Sequence, residues 1–583
     1  QISRRNFIKT SALGLAAAGS TPLASFAQTG AAAPDAPESG AKVVTTHRAE
    51  VPMPHAGITA GHPLAAFAGT RMLMLGGSAA DAVVAAMAVL NVVEPWASSA
   101  AGNGLATCFN GKTGEVVCLA FTGGAPDLLD SNVDPKELDI GPKAVVVPGA
   151  FGGWIELARR LGRLPLATLL EPAIGYARDG HPLDASIAEI ILKAQSKIAR
   201  YPTTAAIFLP GGKPVPARAL FRNLPLARTF QALADAETAA AKGGADRDRA
   251  LQAAYDYFYS GPIAHEFDSF MRQSGGWLRM DDMRSFRPRW AEPVSTTYRG
   301  LDIYCTPLTS RTGLELCEQL NIVEGYDLAS LAADDPALTH VQIEAMKIAK
   351  ADIYRYAADP RFYDVPVDTL ISKDFAAKRR TLILPNRAIS FPVGAEIPQA
   401  ESPIPRLQAL DEQGRKGDTT SLSAVDADGN AIAVTTTLGG GFGTFVVMGN
   451  TGLLCNNGLR IGSTSPYLGH PNKVAPRHVP LLGNGPCIVL DKGRLRLVFG
   501  SPGGETIGTT EFQFLVNIID RGMPIQTAIE APRLSLTAVP NFYKPGAAIN
   551  VDMEDRFAPN LLHSLAFMGH SIKKVGPYSI GSV

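Results

Sequence analysis

Hydrophobic positions along this chain follow two rhythms, and the change from one to the other divides it. Residues 43 to about 390 are mainly helical with short paired strands between them; after residue 419 the pattern turns to strands. A helix opens near Ser78 and stays apolar almost all round to Leu90, which predicts burial. Gly104 to Phe109 and Glu115 to Phe121 form a strand pair. From Ala185 to Arg272 the pattern is mostly helical, broken at Leu209-Pro210-Gly211-Gly212, and Ala234 to Arg249 forms a solvated helical face. Val294 to Tyr298 and Leu301 to Tyr304 are extended. A helix from roughly Ala337 to Ala358 buries Ile343, Met346, Ile348 and Ile353 and ends at Asp359-Pro360. Later strands are predicted at 445–448, 452–454, 487–490 and 496–499, and helices at 512–519 and 525–530. Strands inside and helices outside imply two packed sheets flanked by helices.

Between the two regimes, Ser390 to Thr419 is rich in proline, glycine and charge, as an exposed strip is. It leads into Thr419 to Thr437, small and β-branched residues around Asp428-Gly429, a hairpin pattern. A two-residue turn would set Leu422 against Thr435 and mix polar with apolar side chains. A three-residue loop, Ala427-Asp428-Gly429 with Gly429 left-handed, sets Leu422 against Val434 and Ala424 against Ile432. The second register sorts one apolar face from one hydroxyl face and is the one expected. It brings Thr419 opposite Thr437.

At 583 residues, with 46% hydrophobic and 19% charged residues and no net charge, the composition is that of a globular protein. Zero net charge gives no electrostatic reason to expect nucleic acid or an anionic membrane as partner; small molecules or peptides fit better. Ser3-Arg4-Arg5-Asn6-Phe7-Ile8-Lys9, a short apolar run and Ser25-Phe26-Ala27 describe a twin-arginine export signal over 1–27, then a tether over 28–42. A periplasmic location with no membrane anchor is expected. Among six cysteines, Cys108 and Cys118 flank a hairpin and either face one another or remain buried thiols. The ten histidines show no ligand spacing, so no metal is expected, and no segment has the pattern of a cofactor site. Asp426-Ala427-Asp428-Gly429-Asn430 lacks the spacing of a calcium loop, and Gly439 to Gly443 that of a dinucleotide loop.

A threonine opening a strand after an exposed strip suggests an N-terminal nucleophile. Breakage of the Asp418-Thr419 bond would free an α-amine, with an ordinary pKa of ~8, to act as base for its own hydroxyl. On spacing alone an ordinary Thr-rich hairpin is the better account of these residues. The run from Thr419 through Asp428-Gly429-Asn430, Thr437-Leu438, Phe442-Gly443-Thr444, Gly452 and Asn456-Asn457, followed by Ser501-Pro502-Gly503-Gly504, resembles the catalytic signatures of the γ-glutamyltranspeptidases, and the similarity runs from about residue 43 onward. The resemblance implies an α+β, four-layer αββα sandwich of the N-terminal nucleophile hydrolase type, shared by a large subunit (43–418) and a small subunit (419–583) cut from one precursor. It assigns Thr419 as nucleophile, Thr437 as its support, and Gly503-Gly504 as backbone donors to the oxyanion. The family continues beyond the position of Val583, so a slightly truncated precursor is expected.

The family's substrate-reading positions do not carry over. Thr122 stands where an arginine would hold the glutamyl carboxylate. Gly439, Gly458 and Ile461 replace the groups around the glutamyl ammonium, and Leu482 and Gly483 replace a serine pair. A buried zwitterion without partners would cost several kcal/mol. The expected activity is therefore acyl transfer or hydrolysis on a non-glutamyl amide, as in relatives that deacylate cephalosporins or cleave oxamate. Gly439, Gly483 and Arg460 are the candidate substrate contacts, Arg460 being either a carboxylate reader or a surface ion pair. A retained transpeptidase with new contacts and a catalytically silent binding protein are the alternatives.

Overall fold

The computed structural model describes residues 46–397 and 417–581. The expected signal and tether, and residues 398–416 of the strip before Thr419, lie outside the described residues. Along the chain the main strands are Gly57–Ala60 (β1), Asn103–Phe109 (β2), Val116–Ala120 (β3), Arg289–Ala291 (β4), Val294–Tyr298 (β5), Leu301–Cys305 (β6), Gly417–Val425 (β7), Ala431–Gly440 (β8), Cys487–Asp491 (β9) and Arg494–Phe499 (β10). One sheet has the order β1-β7-β8-β2-β3-β4 and a second the order β10-β9-β6-β5, all neighbours antiparallel. The hairpin that begins at Gly417 is thus inserted between strands laid down by the N-terminal part of the chain.

Phe109, Val116 and Ala431 from the first sheet meet Ile488 and Leu490 from the second, making the dry layer between them. Helices Pro63–Met74 (α1) and Ala79–Val93 (α2) cover the outer face of the first sheet, against Leu422, Ala424, Ile432 and Val434. Thr312–Val323 (α3), Pro336–Tyr356 (α4) and Ile507–Ile519 (α5) cover the second. The result is the four-layer αββα sandwich. Ser78 caps α2 reciprocally with Asp81, as its position before an apolar run requires, and every residue of that helix is buried.

The hairpin has the three-residue loop. Asp426 N–H donates to the Asn430 carbonyl, Gly429 has φ +79°, and Leu422 pairs with Val434 and Ala424 with Ile432. Of the two readings of the cysteines, the structure has the buried thiols, and two other expectations, on the strands after residue 445 and on the helical face from Ala234, fail. Cys108 pairs with Val117 while Cys118 pairs with Thr107, so adjacent register positions send the two thiols to opposite faces, and both remain free. Residues 445–448 and 452–454 are not strands but a coil joined by a single Val447–Leu454 bridge; Phe442 and Phe445 take φ +62° and +63° so that their rings stack. The helical face drawn from Ala234 to Arg249 is interrupted at Gly243-Gly244, where one helix ends and the next begins at Arg247.

Buried histidines give the fold a pH limit. Burial, helped by Lys347 and His340, pushes His570 down to about 3; burial also pushes His470 and His181 down to about 4. His570 and His340 share a hydrogen bond and His340 bonds the Leu384 carbonyl, pinning the segment after α4. The His570, His470 and His181 rings are neutral when folded near neutral pH, whereas an unfolded imidazole takes up a proton at pH ~6.5. The unfolded chain therefore binds more protons below that pH, and stability falls with falling pH. The melting temperature is expected to hold above about pH 7 and to drop steadily from about 6.5 to about 4, with a shallower drop in His570→Gln, as measured by scanning fluorimetry.

Candidate active site

Thr419 and Thr437 lie on the same face of the β7–β8 hairpin as Ser421 and Thr435, the face turned toward the second sheet at Gly500. The ladder is regular to Thr420–Thr436, then slips, so that Asp418 pairs with Gly439 and a bulge holds Thr437 beside Thr419. The Thr419 hydroxyl donates to the Thr437 hydroxyl at 3.3 Å, and Thr437 donates to the Asp418 carbonyl at 2.5 Å. Gly439 N–H donates to the same Thr437 oxygen at 2.8 Å and fixes its orientation. The 418–419 peptide carbonyl is thus hydrogen-bonded by one hydroxyl that is linked to a second, an arrangement able to stabilise negative charge on that carbonyl oxygen.

Gly439 has φ +101°, and a Cβ there would lie 2.3 Å from Asn457 Oδ1, which itself accepts from Gly440 N–H. Its glycine serves this crossing of backbone and Asn457, a reason for the residue apart from the substrate contact expected from sequence. Gly503 and Gly504 have φ +126° and +63°, and a Cβ on Gly504 would meet Gly417 Cα at 2.7 Å. The pair therefore lies against the strand carrying the 418–419 bond. A Cβ on Gly483 would strike the Gly504 carbonyl at 2.5 Å, so Gly483 supports that loop and has no open space around it. Thr122 is buried against the Gly104 carbonyl.

Arg460 is not at the surface; it is 3% exposed. Its Nη1 donates to the Ile461 carbonyl, its Nη2 lies 3.9 Å from Glu505, and a Cβ on Gly417 would sit 2.8 Å from that Nη2. Arg311 also reaches Glu505, and Lys350 donates to the Glu505 carbonyl while pairing with Glu315. Burial alone would raise the Glu505 carboxyl, but Arg460 and then Arg311 outweigh it and hold it below its usual range. Arg460, Arg311 and Lys350 thus meet the carboxylates of Glu505 and Glu315 in a buried charge cluster beside Gly417. Glu94 stands on the helix side of the same strand. Sequence reasoning missed Glu94, Arg311 and Lys350; for Glu94 the signal was a charged residue ending an otherwise apolar helix, while Arg311 and Lys350 belong to helices with several charges and gave none.

His340, Glu344 and His570 are close enough to share an ion, but Lys347 already donates to Glu344 and His570. An ammonium group occupies the role a metal would have.

The family model described as Gamma-glutamyltranspeptidase matches residues 65–583. The chain belongs to the γ-glutamyltranspeptidase family. Acylase ACY 1 proenzyme of Pseudomonas sp. (strain SE83) is 34% identical over 82% of this chain and 82% of its own length. The glutathione hydrolase proenzyme of Escherichia coli (strain K12) is 30% identical over 86% of this chain and 83% of its own. Among solved structures, the cephalosporin acylase from Bacillus halodurans superimposes with a TM-score of 0.77 at 28% identity, covering 92% of each chain. The protein is therefore an enzyme of the N-terminal nucleophile hydrolase type acting on amide bonds, with acylases as well as glutathione hydrolases among its relatives.

Proposed function

We propose that the chain is an exported precursor that cleaves itself between Asp418 and Thr419, and then uses Thr419 to deacylate amides whose acyl group carries a second carboxylate. The observation that carries this reading is the hydrogen bond from Thr437 to the Asp418 carbonyl, with the Thr419 hydroxyl attached to Thr437. Attack by Thr419 Oγ on that carbonyl breaks the C–N bond, giving an ester and a free amine, and water then opens the ester to release the large subunit's end and restore the hydroxyl. In turnover the same Oγ forms the same acyl bond, so an incoming acyl group takes the place that Gly417-Asp418 leaves.

That place is bordered by Gly504 and by the Arg460 guanidinium, a group whose geometry suits an acyl chain ending in a carboxylate. The absence of the family's glutamyl contacts at Thr122, Gly458 and Ile461 argues against an α-amino acid head. On monoamides of dicarboxylic acids, Arg460→Ala is expected to lower kcat/KM by about 10- to 100-fold, the worth of one charge-assisted contact of ~1.5–3 kcal/mol. Glutathione should be a poor substrate for both forms. Equal activity of the two forms on the monoamides would remove Arg460 from substrate recognition.

A further inference from the structure

Glu94 has no counterpart among the residues assigned so far, yet it lies against the scissile strand. It caps the C-terminal end of α2, where Pro95 turns the chain, and its buried carboxyl accepts from the Thr420 hydroxyl. A Cβ on Gly61 would lie 2.8 Å from both Glu94 oxygens and 2.6 Å from Thr420 Oγ1, so the room for this contact exists because residue 61 has no side chain.

The parity of β7 fixes which way the Thr419 nitrogen points. Asp426 N–H bonds β8, and the Asp418 carbonyl meets Thr437 of β8; even-numbered residues of β7 therefore turn their backbone groups toward β8. Thr419, being odd, turns its N–H the other way, toward the side of β1, which ends at Ala60 and is followed by Gly61. Asp418 and Thr420, the neighbours of that nitrogen, both send their side chains to the helix face where Glu94 lies. The groups facing Glu94 are the Thr420 hydroxyl and the Asp418 carboxylate, both on β7, while the turn after β1 meets it with Gly61.

We propose that Glu94 is the proton donor to the Thr419 nitrogen during self-cleavage and its counter-ion afterwards, an assignment that rests on Thr419 being the nucleophile. Thr419 Oγ bonds to the Asp418 carbonyl carbon, and the Glu94 proton passes to the nitrogen as the C–N bond breaks. With the proton given up by the hydroxyl the nitrogen becomes ammonium, leaving the Glu94 carboxylate opposite it. Water opens the ester, restoring the Thr419 hydroxyl and releasing Asp418 with a free carboxyl group. Before cleavage, burial raises the Glu94 carboxyl, the Thr420 hydrogen bond opposes it, and the like charge of Asp418 adds to the rise. Afterwards Asp418 has gone and a cation has replaced it.

The test uses the full chain made by cell-free synthesis, diluted into buffers of different pH, with cleavage followed on denaturing gels. The wild-type rate is expected to fall as pH rises through the titration of Glu94. In Glu94→Gln it is expected to be at least about 10-fold slower and to lose that descending limb, while Glu94→Asp recovers part of both. A purely structural role would slow cleavage equally at every pH. A Glu94→Gln chain with the wild-type rate or the wild-type limb overturns the proposal. Thr419→Ala in the same assay separates the two readings: if it too is cut, the nucleophile assignment falls instead.

Discussion

Replacing Thr419 with alanine is expected to leave the chain in one piece: a single band near 61.5 kDa on a denaturing gel, where the wild type gives two. The reason is local. Thr419 carries the hydroxyl that donates to Thr437, and Thr437 is the group on the Asp418 carbonyl, so alanine leaves the carbonyl polarised with nothing to attack it. Removing a nucleophile costs on the order of 10⁴–10⁶ in rate, and here the loss applies twice, to self-cleavage and to turnover. Thr419→Ser should still cleave, more slowly, because the hydroxyl remains while the methyl that restricts its rotamer is gone. Two bands from Thr419→Ala would place the attacking group elsewhere. The variant should melt near the wild-type temperature, since one buried hydroxyl and methyl on a strand end contribute little to the core.

The register of the catalytic hairpin was legible because its apolar residues occupy one parity and its hydroxyls the other; a slip by one would have buried Ser421 and Ser423 under α2. The buried helix after Ser78 was legible from its cap and its lack of a polar side. What escaped was set by partners distant in sequence. The bulge at Thr437 depends on Asn457 bonding Gly440 N–H and leaving no room for a side chain at 439. The Phe442–Phe445 coil has strand-like composition, but both phenylalanines take positive φ with their rings stacked, which no local rule announces. Cys108 and Cys118 were one register step from facing each other, and only the loop geometry decides such a step. Arg460 shows the same limit in charge: its number in the chain could not say whether it was at the surface, whereas Glu505, Arg311 and Gly417 around it do.

Gly504→Ala is expected to slow self-cleavage by about 100-fold, and a second glycine shows why strain alone does not account for it. Gly504 has φ +63° and Gly493 has φ +75°, so alanine at either position carries a comparable backbone cost of ~1–2 kcal/mol. Around Gly493 nothing lies within 4 Å of the added carbon, while at Gly504 it meets Gly417 Cα at 2.7 Å and Gly417 N at 3.1 Å. One of these two backbones must move. If the strand moves, the Asp418 carbonyl leaves Thr437; if the loop moves, Gly503-Gly504 leave the place where oxyanion donors are needed. A displacement of ~1 Å at a reacting centre is enough for a loss of this size. Gly493→Ala, by contrast, should cleave at close to the wild-type rate with only a lowered melting temperature. Time courses of cleavage for the two variants, read beside their melting curves, distinguish the cases: equal rates at equal stability would mean that Gly504 is there for its backbone angle alone and that the scissile strand is not seated against it.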